Sequence, residues 1–413
     1  MLEKTEDLEL KNQGAASKKA AVTVTSEAAI LMEAQTGTVI CEKNQDERVS
    51  PASITKIMTL LLIYDALHDG RLQLSDKVIT SAHAKSMGGS QVFLEEGEVQ
   101  TVETMIKCIV IASGNDASAA MAEHISGSEE AFVKAMNERA KGLGMAHTKF
   151  IDCCGLTDAF VAAMNQKAGE LGMTGTHFVD CCGLTDSDDH YTTAKDVALM
   201  ARALITNYPE ISEYATIWME NITHETKRGS SEFGLSNTNK LLKMANNFEV
   251  TGLKTGSTAK AGYCFCGTAV KDGLNLIAVV MDAPDYKIRF SEVQQLLNYG
   301  FANCRAYRDD NPPELLPMAV KDGQKEWVTL AYEQPFSYIT FRGENPEDIR
   351  SELVLDNHLM PPFEAGTRVG RLVYYLDGQE IGDTAVVVTE GVERAGFIDY
   401  LQKVYRNFMS ISG

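Results

Sequence analysis

The 413-residue sequence has no apolar run long enough to cross a bilayer: its longest, Ile57 to Tyr64, is far short of the ~20 residues a spanning helix needs. Its first twenty residues, MLEKTEDLEL KNQGAASKKA, lack the apolar stretch of a secretory signal. They hold too few apolar groups to offset ordering entropy, so residues 1–22 are expected to be a disordered linker. Cations are scarce. Lys and Arg number 38 against 57 Asp and Glu, a formal charge of -19, which excludes nucleic acid as a partner because phosphate binding needs clustered positive charge. Any anionic ligand must be held by a few local cations.

The cysteines do not have the layout of a disulfide framework. There are nine, an odd count, and four stand as the adjacent pairs Cys153-Cys154 and Cys181-Cys182. Adjacent Cys-Cys also lacks the C-x2-C spacing of zinc ligands, so these pairs, even with His147 and His177 nearby, read as small buried hydrophobes. Cys264 and Cys266 share one face of a strand and read as packing residues. His68, His83, His124, His190, His224 and His358 are scattered without ligand spacing and receive no function. No metal and no other cofactor is expected.

With 44% hydrophobic and 23% charged residues, the sequence has the balance of a globular protein, and its length points to two domains. Ala28 to Met32 and Thr38 to Cys41 flank a turn and predict a β-hairpin. Pro51 and Ser53 introduce a helical run, Ile54 to Leu67, ended by Asp69-Gly70. Two further helical segments, Thr104 to Ile111 and Ala117 to His124, are separated by Ser113-Gly114-Asn115. Phe248 to Leu253, Tyr263 to Val270 and Leu274 to Met281 are extended, which puts Lys254-Thr255-Gly256 on or beside a sheet. After Asn311-Pro312-Pro313 the texture changes to short β-like segments, giving a first domain over 23–311 and a β-rich domain over 312–393. Residues 394–413 set Ile398, Leu401, Tyr405 and Phe408 on one helical face and predict an amphipathic helix able to contact a membrane surface.

Residues 131–158 and 159–186 are a direct repeat with 19 identities in 28 positions. Two copies are too few for a solenoid and record a local duplication. One copy is expected to be dispensable, with the extra copy forming a helix-plus-loop excursion away from any active site.

The chemistry concentrates in three short elements. Ser53-Ile54-Thr55-Lys56 places Lys56 one helical turn after Ser53, on the same face, as a nucleophile needs its base. A free lysine has a pKa near ~10.4 and is protonated, so burial and a second cation, with Lys254 the candidate, must lower it. Ser113-Gly114-Asn115 offers a hydroxyl to relay a proton and an amide to hold both the lysine and a substrate. Lys254-Thr255-Gly256 offers a cation and a hydroxyl for a carboxylate, and Gly256 lets a substrate backbone approach the strand. Singly each is weak: Lys56 suits any polar helix face, Ser113 and Asn115 any turn, and Lys254 any strand end. In this order S-x-x-K, S-x-N and K-T-G are the signature set of penicillin-binding proteins and class A β-lactamases.

With PASITKIMT, GGSQVFLEEGE, IASGNDASAAMAEHISGSEEAFVKAMN, HYTTAKDVALMAR and GLKTGSTAKAGYCF, the chain resembles the D-alanyl-D-alanine carboxypeptidases among the low-molecular-mass penicillin-binding proteins, from about Ala28 to its C-terminus. The resemblance implies an α/β (α+β) penicillin-binding, β-lactamase-like transpeptidase fold: a sheet flanked by helices over 23–311, then the smaller β-rich domain and an amphipathic anchor. It implies that Ser53 forms the acyl-enzyme, Lys56 is its base and Ser113 shuttles the proton. Asn115 would bind substrate, Lys254 and Thr255 would receive the terminal carboxylate, and the backbone N–H groups of Ser53 and Ser257 would form the oxyanion hole. It further implies peptidoglycan pentapeptide stems as substrate, β-lactams as covalent inhibitors, and an extracytoplasmic location. The duplicated segment departs from the family, where it ordinarily occurs once. A β-lactamase would need a further carboxylate before K-T-G, and the string Glu292 to Asn298 has the wrong spacing and follows Lys254. The other alternative is a catalytically retired wall-binding module.

Overall fold

The computed structural model describes residues 6–10, 19–126, 156–185, 187–356 and 359–410. The chain forms two compact units, Met1–Asn303 and Cys304–Gly413.

The first unit is built on a sheet whose strands include β1 (Glu6–Leu10), β2 (Lys19–Val24), β3 (Ala28–Glu33) and β4 (Val39–Lys43). Residues 1–22 were expected to be a linker on composition. They instead include β1 and part of β2: ladder hydrogen bonds use backbone groups, which an apolar count does not weigh. The predicted hairpin is β3 with β4. The sequence AAILME is buried at every position of β3, so this strand is covered on both faces.

A 3-10 turn, Ala52–Thr55, leads into α1 (Lys56–His68), so Ser53 lies in the turn and Lys56 opens the helix. Helix α1 buries Ile57, Met58, Leu60, Leu61, Ile63 and Tyr64, which makes it a central core helix rather than a surface one. A two-stranded ribbon, β5 (Lys77–Ile79) with β6 (Val99–Thr101), carries α2 (Ala82–Ser86) between its strands. Then come α3 (Val102–Val110) and α4 (Asn115–Ser126), joined by the turn that holds Ser113 and Gly114. Thr101 caps α3 by accepting from the Thr104 N–H.

Residues 127–155, most of the first repeat copy, lie outside the described residues. The second copy begins within α5 (Leu156–Glu170) and continues as a loop to α6 (Ala194–Asn207). Helix α1 packs against α4, α5 and α6. After α7 (Ile211–Ala215) a hairpin, β7 (Met219–Thr226) and β8 (Gly229–Ser236), precedes β9 (Glu249–Thr258), β10 (Gly262–Lys271) and β11 (Leu274–Ala283). Helix α8 (Ile288–Asn303) then packs on β10 and β11. The sheet runs β2-β1-β4-β3-β11-β10-β9, every neighbouring pair antiparallel, which leaves β9 and its Lys254-Thr255-Gly256 on an edge.

The second unit starts at β12 (Cys304–Arg308), eight residues before the expected boundary, because β12 pairs with β16 (Ser337–Phe341). Short β13 (Met318–Ala319) and β14 (Trp327–Val328) pair, and β15 (Leu330–Tyr332), β17 (Arg350–Leu355), β18 (Arg368–Leu376) and β19 (Gln379–Val388) form a sheet in the order β15-β19-β18-β17. Val369, Val386 and Val388 lie at the centre of its core. The last element is α9 (Phe397–Ser410).

Candidate active site

Ser53, Lys56, Ser113, Asn115, Lys254, Thr255 and Gly256 converge in the first unit. Lys56 is fully buried, and its Nζ lies 3.0 Å from Ser53 Oγ, 2.6 Å from Asn115 Oδ1 and 2.9 Å from the carbonyl oxygen of Cys182. Two of these partners can only accept. A neutral amine donates its two protons to them and keeps its lone pair for the Ser53 hydroxyl, the one partner able to reverse roles and donate. Burial pulls the Lys56 pKa below the usual lysine range, against the nearby Asp180 and Asp116 carboxylates, which favour the charged form. A second cation was expected to be needed; burial is the main cause.

The second pair is Lys254 with Ser113. Lys254 Nζ donates to Ser113 Oγ at 2.9 Å and to the Thr255 carbonyl at 3.1 Å. Its pKa is held well below the usual range, by burial first and then by the positive charges of Lys56 and Arg289. Ser113 itself takes a left-handed backbone with φ 61°, an uncommon state for a non-glycine residue and one that clusters at functional sites.

Local structure explains the convergence. The Asn115 side chain donates to the Gly88 carbonyl at 2.6 Å and its N–H to the Ser90 carbonyl at 2.7 Å. The neighbouring Asp116 carboxylate accepts from the Val92 and Leu94 N–H groups, pinning the 88–94 loop over the start of α4. At Gly256 a side chain would meet Ile54 N and the Pro51 carbonyl at 2.9 Å, so only glycine lets β9 lie against the turn that carries Ser53. Thr255 Oγ1 donates to Thr238 Oγ1 at 2.8 Å. Ser257 is exposed beyond them on the edge strand.

Several groups at the site were not legible in the sequence. The Cys182 carbonyl that holds Lys56 has no residue-type signature, since any backbone offers it. At Gly183 a side chain would lie 1.8 Å from the Ala52 carbonyl, so the second repeat copy is seated against the turn that carries Ser53. Arg289, on α8, donates to the Gly256 carbonyl at 3.0 Å and supports the K-T-G strand from behind. His190, which received no function, bridges two parts of the site: Nε2 is 2.8 Å from Thr55 Oγ1, and Nδ1 accepts from the Val179 N–H at 3.0 Å. Cys181, Cys182, Cys264 and Cys266 are buried thiols. Cys153, Cys154 and His147 lie outside the described residues. Glu292, weighed as a β-lactamase carboxylate, is buried on α8 and accepts from the backbone and hydroxyl groups of Thr25 and Ser26, a structural clamp.

A serine with a buried lysine partner, a second serine–lysine pair and an open sheet edge beside them define an S-x-x-K serine acyltransferase of the penicillin-binding class. The chain belongs to the D-alanyl-D-alanine carboxypeptidase family, whose sequence pattern matches residues 13–159 and 154–285; that of the penicillin-binding protein 5 C-terminal domain matches 309–394. The two segments of the first match overlap where the repeat copies meet. The chain is 38% identical over 381 residues to D-alanyl-D-alanine carboxypeptidase DacF of Bacillus subtilis, covering 92% of this chain and 88% of the relative. It is 33% identical over 384 residues to D-alanyl-D-alanine carboxypeptidase DacC of Escherichia coli, covering 91% and 86%. The crystal structure of penicillin binding protein 5 from Haemophilus influenzae superposes with a TM-score of 0.71 at 27% identity, covering 92% of this chain and all of that one.

Proposed function

We propose that the chain removes the terminal D-alanine from peptidoglycan stem peptides through an acyl-enzyme on Ser53, and that β-lactams acylate the same oxygen. The observation that carries this reading is the contact of neutral-leaning, buried Lys56 with Ser53 Oγ at 3.0 Å. Lys56 takes the Ser53 proton as Ser53 Oγ attacks the carbonyl of the penultimate residue. The backbone N–H groups of Ser53 and Ser257 receive the developing oxyanion. Ser113 passes a proton to the departing D-alanine amine, Asn115 holds the acyl-side amide, and Lys254 and Thr255 receive the terminal carboxylate, with Gly256 giving the substrate room along the edge of β9. Water then releases the acyl group, with Lys56 again as base.

The catalytic role falls to the first unit, which carries every residue named above, and the β-rich unit begins at Cys304. Residues 394–413 rest on a membrane surface at the outer face of the cytoplasmic membrane. Supporting this, α9 exposes Phe397, Ile398, Leu401 and Tyr405, with Phe397 81% accessible. No helix among the described residues is long and apolar enough to span a membrane.

The test is incubation with a peptide ending in D-Ala-D-Ala, measuring free D-alanine beside any transpeptidation product, together with covalent labelling by a fluorescent penicillin. Labelling without D-alanine release points to a slow acyl-enzyme. Absence of both sinks the reading in favour of a retired binding module.

A further inference from the structure

Phe93 stands out in the loop that carries Asn115's partners. The residue is 64% exposed, and its backbone is left-handed with φ 61°, a costly state for a bulky side chain that glycine or asparagine adopts freely. Its neighbours Val92 and Leu94 are buried, and both donate their N–H groups to Asp116. These anchors over-determine the loop and force the residue between them outward. The ring meets Phe233 of β8 edge to face, centroids 5.7 Å apart. Each ring belongs to a segment that touches the site. The Phe93 loop bonds to Asn115 through Gly88 and Ser90, and the Phe233 strand runs on to Thr238, the hydroxyl partner of Thr255.

A left-handed conformation is costly for an exposed aromatic, and such strain clusters at active sites and ligand clamps. We propose that Phe93 and Phe233 form an aromatic shelf that receives an apolar group on the acyl side of the ligand that acylates Ser53. This rests on the acyl-enzyme reading above. The site's buried polar groups engage the amide, the scissile carbonyl and the carboxylate, and leave the acyl substituent to be distinguished elsewhere. The shelf makes that distinction by burying aromatic or aliphatic surface against two rings, and Phe93 is a specificity-determining residue rather than a catalytic one.

The experiment compares second-order acylation by benzylpenicillin, which carries a phenylacetyl group, with acylation by 6-aminopenicillanic acid, which carries none. Phe93→Gly should lower the benzylpenicillin to 6-aminopenicillanic acid rate ratio about fivefold, with Tm unchanged or raised because the left-handed conformation is relieved. Phe93→Trp should restore the ratio. Should Phe93→Gly not fold, Phe233→Leu provides the same ratio measurement. An unchanged ratio, including equal slowing with both probes, overturns the shelf. If neither probe acylates the wild type, the acyl-enzyme reading itself fails, a result distinct from loss of the shelf alone.

Discussion

Lys56 Nζ donates to the carbonyl oxygen of Cys182 at 2.9 Å, which ties the proposed base of the Ser53 reaction to the second copy of the duplicated segment. That carbonyl and Asn115 Oδ1 fix the amine in a buried setting, where the neutral form is favoured. Asp180 fixes the carbonyl in turn: its carboxylate accepts from the Cys182, Gly183 and Thr185 N–H groups. The repeat is therefore part of the wall of the site, at least in its second copy.

Ser53→Ala should abolish both covalent penicillin labelling and D-alanine release while leaving the fold intact, because Ser53 is only half-buried at the surface of the turn. Labelling followed by intact-mass measurement is the check. Stoichiometric labelling of the variant would remove Ser53 from the role of nucleophile.

Lys254→Ala should lose at least tenfold in kcat/KM on an acid-terminated peptide, since a charge-assisted hydrogen bond contributes roughly 1.5 to 3 kcal/mol. Both lysines titrate below their usual range. The active form needs Lys56 neutral and Lys254 charged, and the carboxylate of a bound substrate favours the charged Lys254, so activity should trace a bell against pH whose alkaline limb flattens in Lys254→Ala. An amidated substrate should be poor for wild type and lose little further in the variant. Equal loss on acid and amide substrates would assign Lys254 to Ser113, its partner at 2.9 Å, rather than to the carboxylate.

Much of this geometry was readable because its determinants are local. Ser53 and Lys56 are a helical turn apart, Ser113 and Asn115 flank one glycine, and Lys254 to Gly256 are consecutive on a strand. Patterning also marked α1 and β11, whose apolar runs are continuous. What escaped was whatever depends on backbone or on distant chain. The Cys182 carbonyl carries no side-chain signal, and Arg289 reaches Gly256 from another element with no local motif. His190 looked isolated because its partners, Thr55 and Val179, meet it only in the folded chain. Strands β1 and β2 escaped because compositional reasoning weighs side chains, while an antiparallel ladder asks only for free backbone groups.

His190 makes a pH prediction. Because Nδ1 accepts from Val179 N–H, the ring is neutral with its proton on Nε2, facing Thr55. Burial holds its pKa below the ordinary 6.5; Asp180 opposes this, and His177 and Lys260 add to it. The unfolded chain thus binds the proton first as pH falls. This contribution to stability is complete above about pH 6.5 and is lost below it, towards the lowered folded value. His190→Gln should have a lower Tm at pH 7.5, by about 1 to 3 kcal/mol of lost hydrogen bonding, and a flatter Tm between pH 7 and pH 5 than wild type. Parallel curves for the two proteins would mean that the His190 pKa is the same in the folded and unfolded chain, and would overturn this reading.

Removing residues 396–413 should leave D-alanine release in solution unchanged and abolish cosedimentation with anionic vesicles at low salt. The exposed Ile398, Leu401 and Tyr405 supply the apolar contact. If the full chain does not bind such vesicles, α9 serves its own unit, to which Tyr400 is already tied by a 2.8 Å bond to Asp322.

The two copies of the repeat should not be equally dispensable. Deleting 131–158 joins Glu130 to Ala159 and keeps the copy that holds Lys56, so acylation and Tm should be retained or improved. Deleting 159–186 leaves the first copy joined to Ser187. It brings identical residues to the positions of Phe160, Met164, Asn165, Phe178, Asp180, Cys181, Cys182 and Gly183, so every contact to Lys56 has a counterpart. One position differs sharply. Gly175 is replaced by His147, and a side chain at Gly175 would lie 2.5 Å from Thr193 Cγ2 and 3.3 Å from Asp196 Oδ2. Thr193 is buried and caps α6 by accepting from the Asp196 N–H, and Asp196 in turn accepts from Gly175 N–H at 2.9 Å. Neither can move without loosening the start of that helix, and overpacking of this kind costs about 1 to 3 kcal/mol. The 159–186 deletion should therefore fold with a lower Tm and acylate more slowly, and His147→Gly in that background should restore both. Equal Tm and equal acylation in the two deletions would mean that the 175 position tolerates a side chain and that either copy can build the wall of the site.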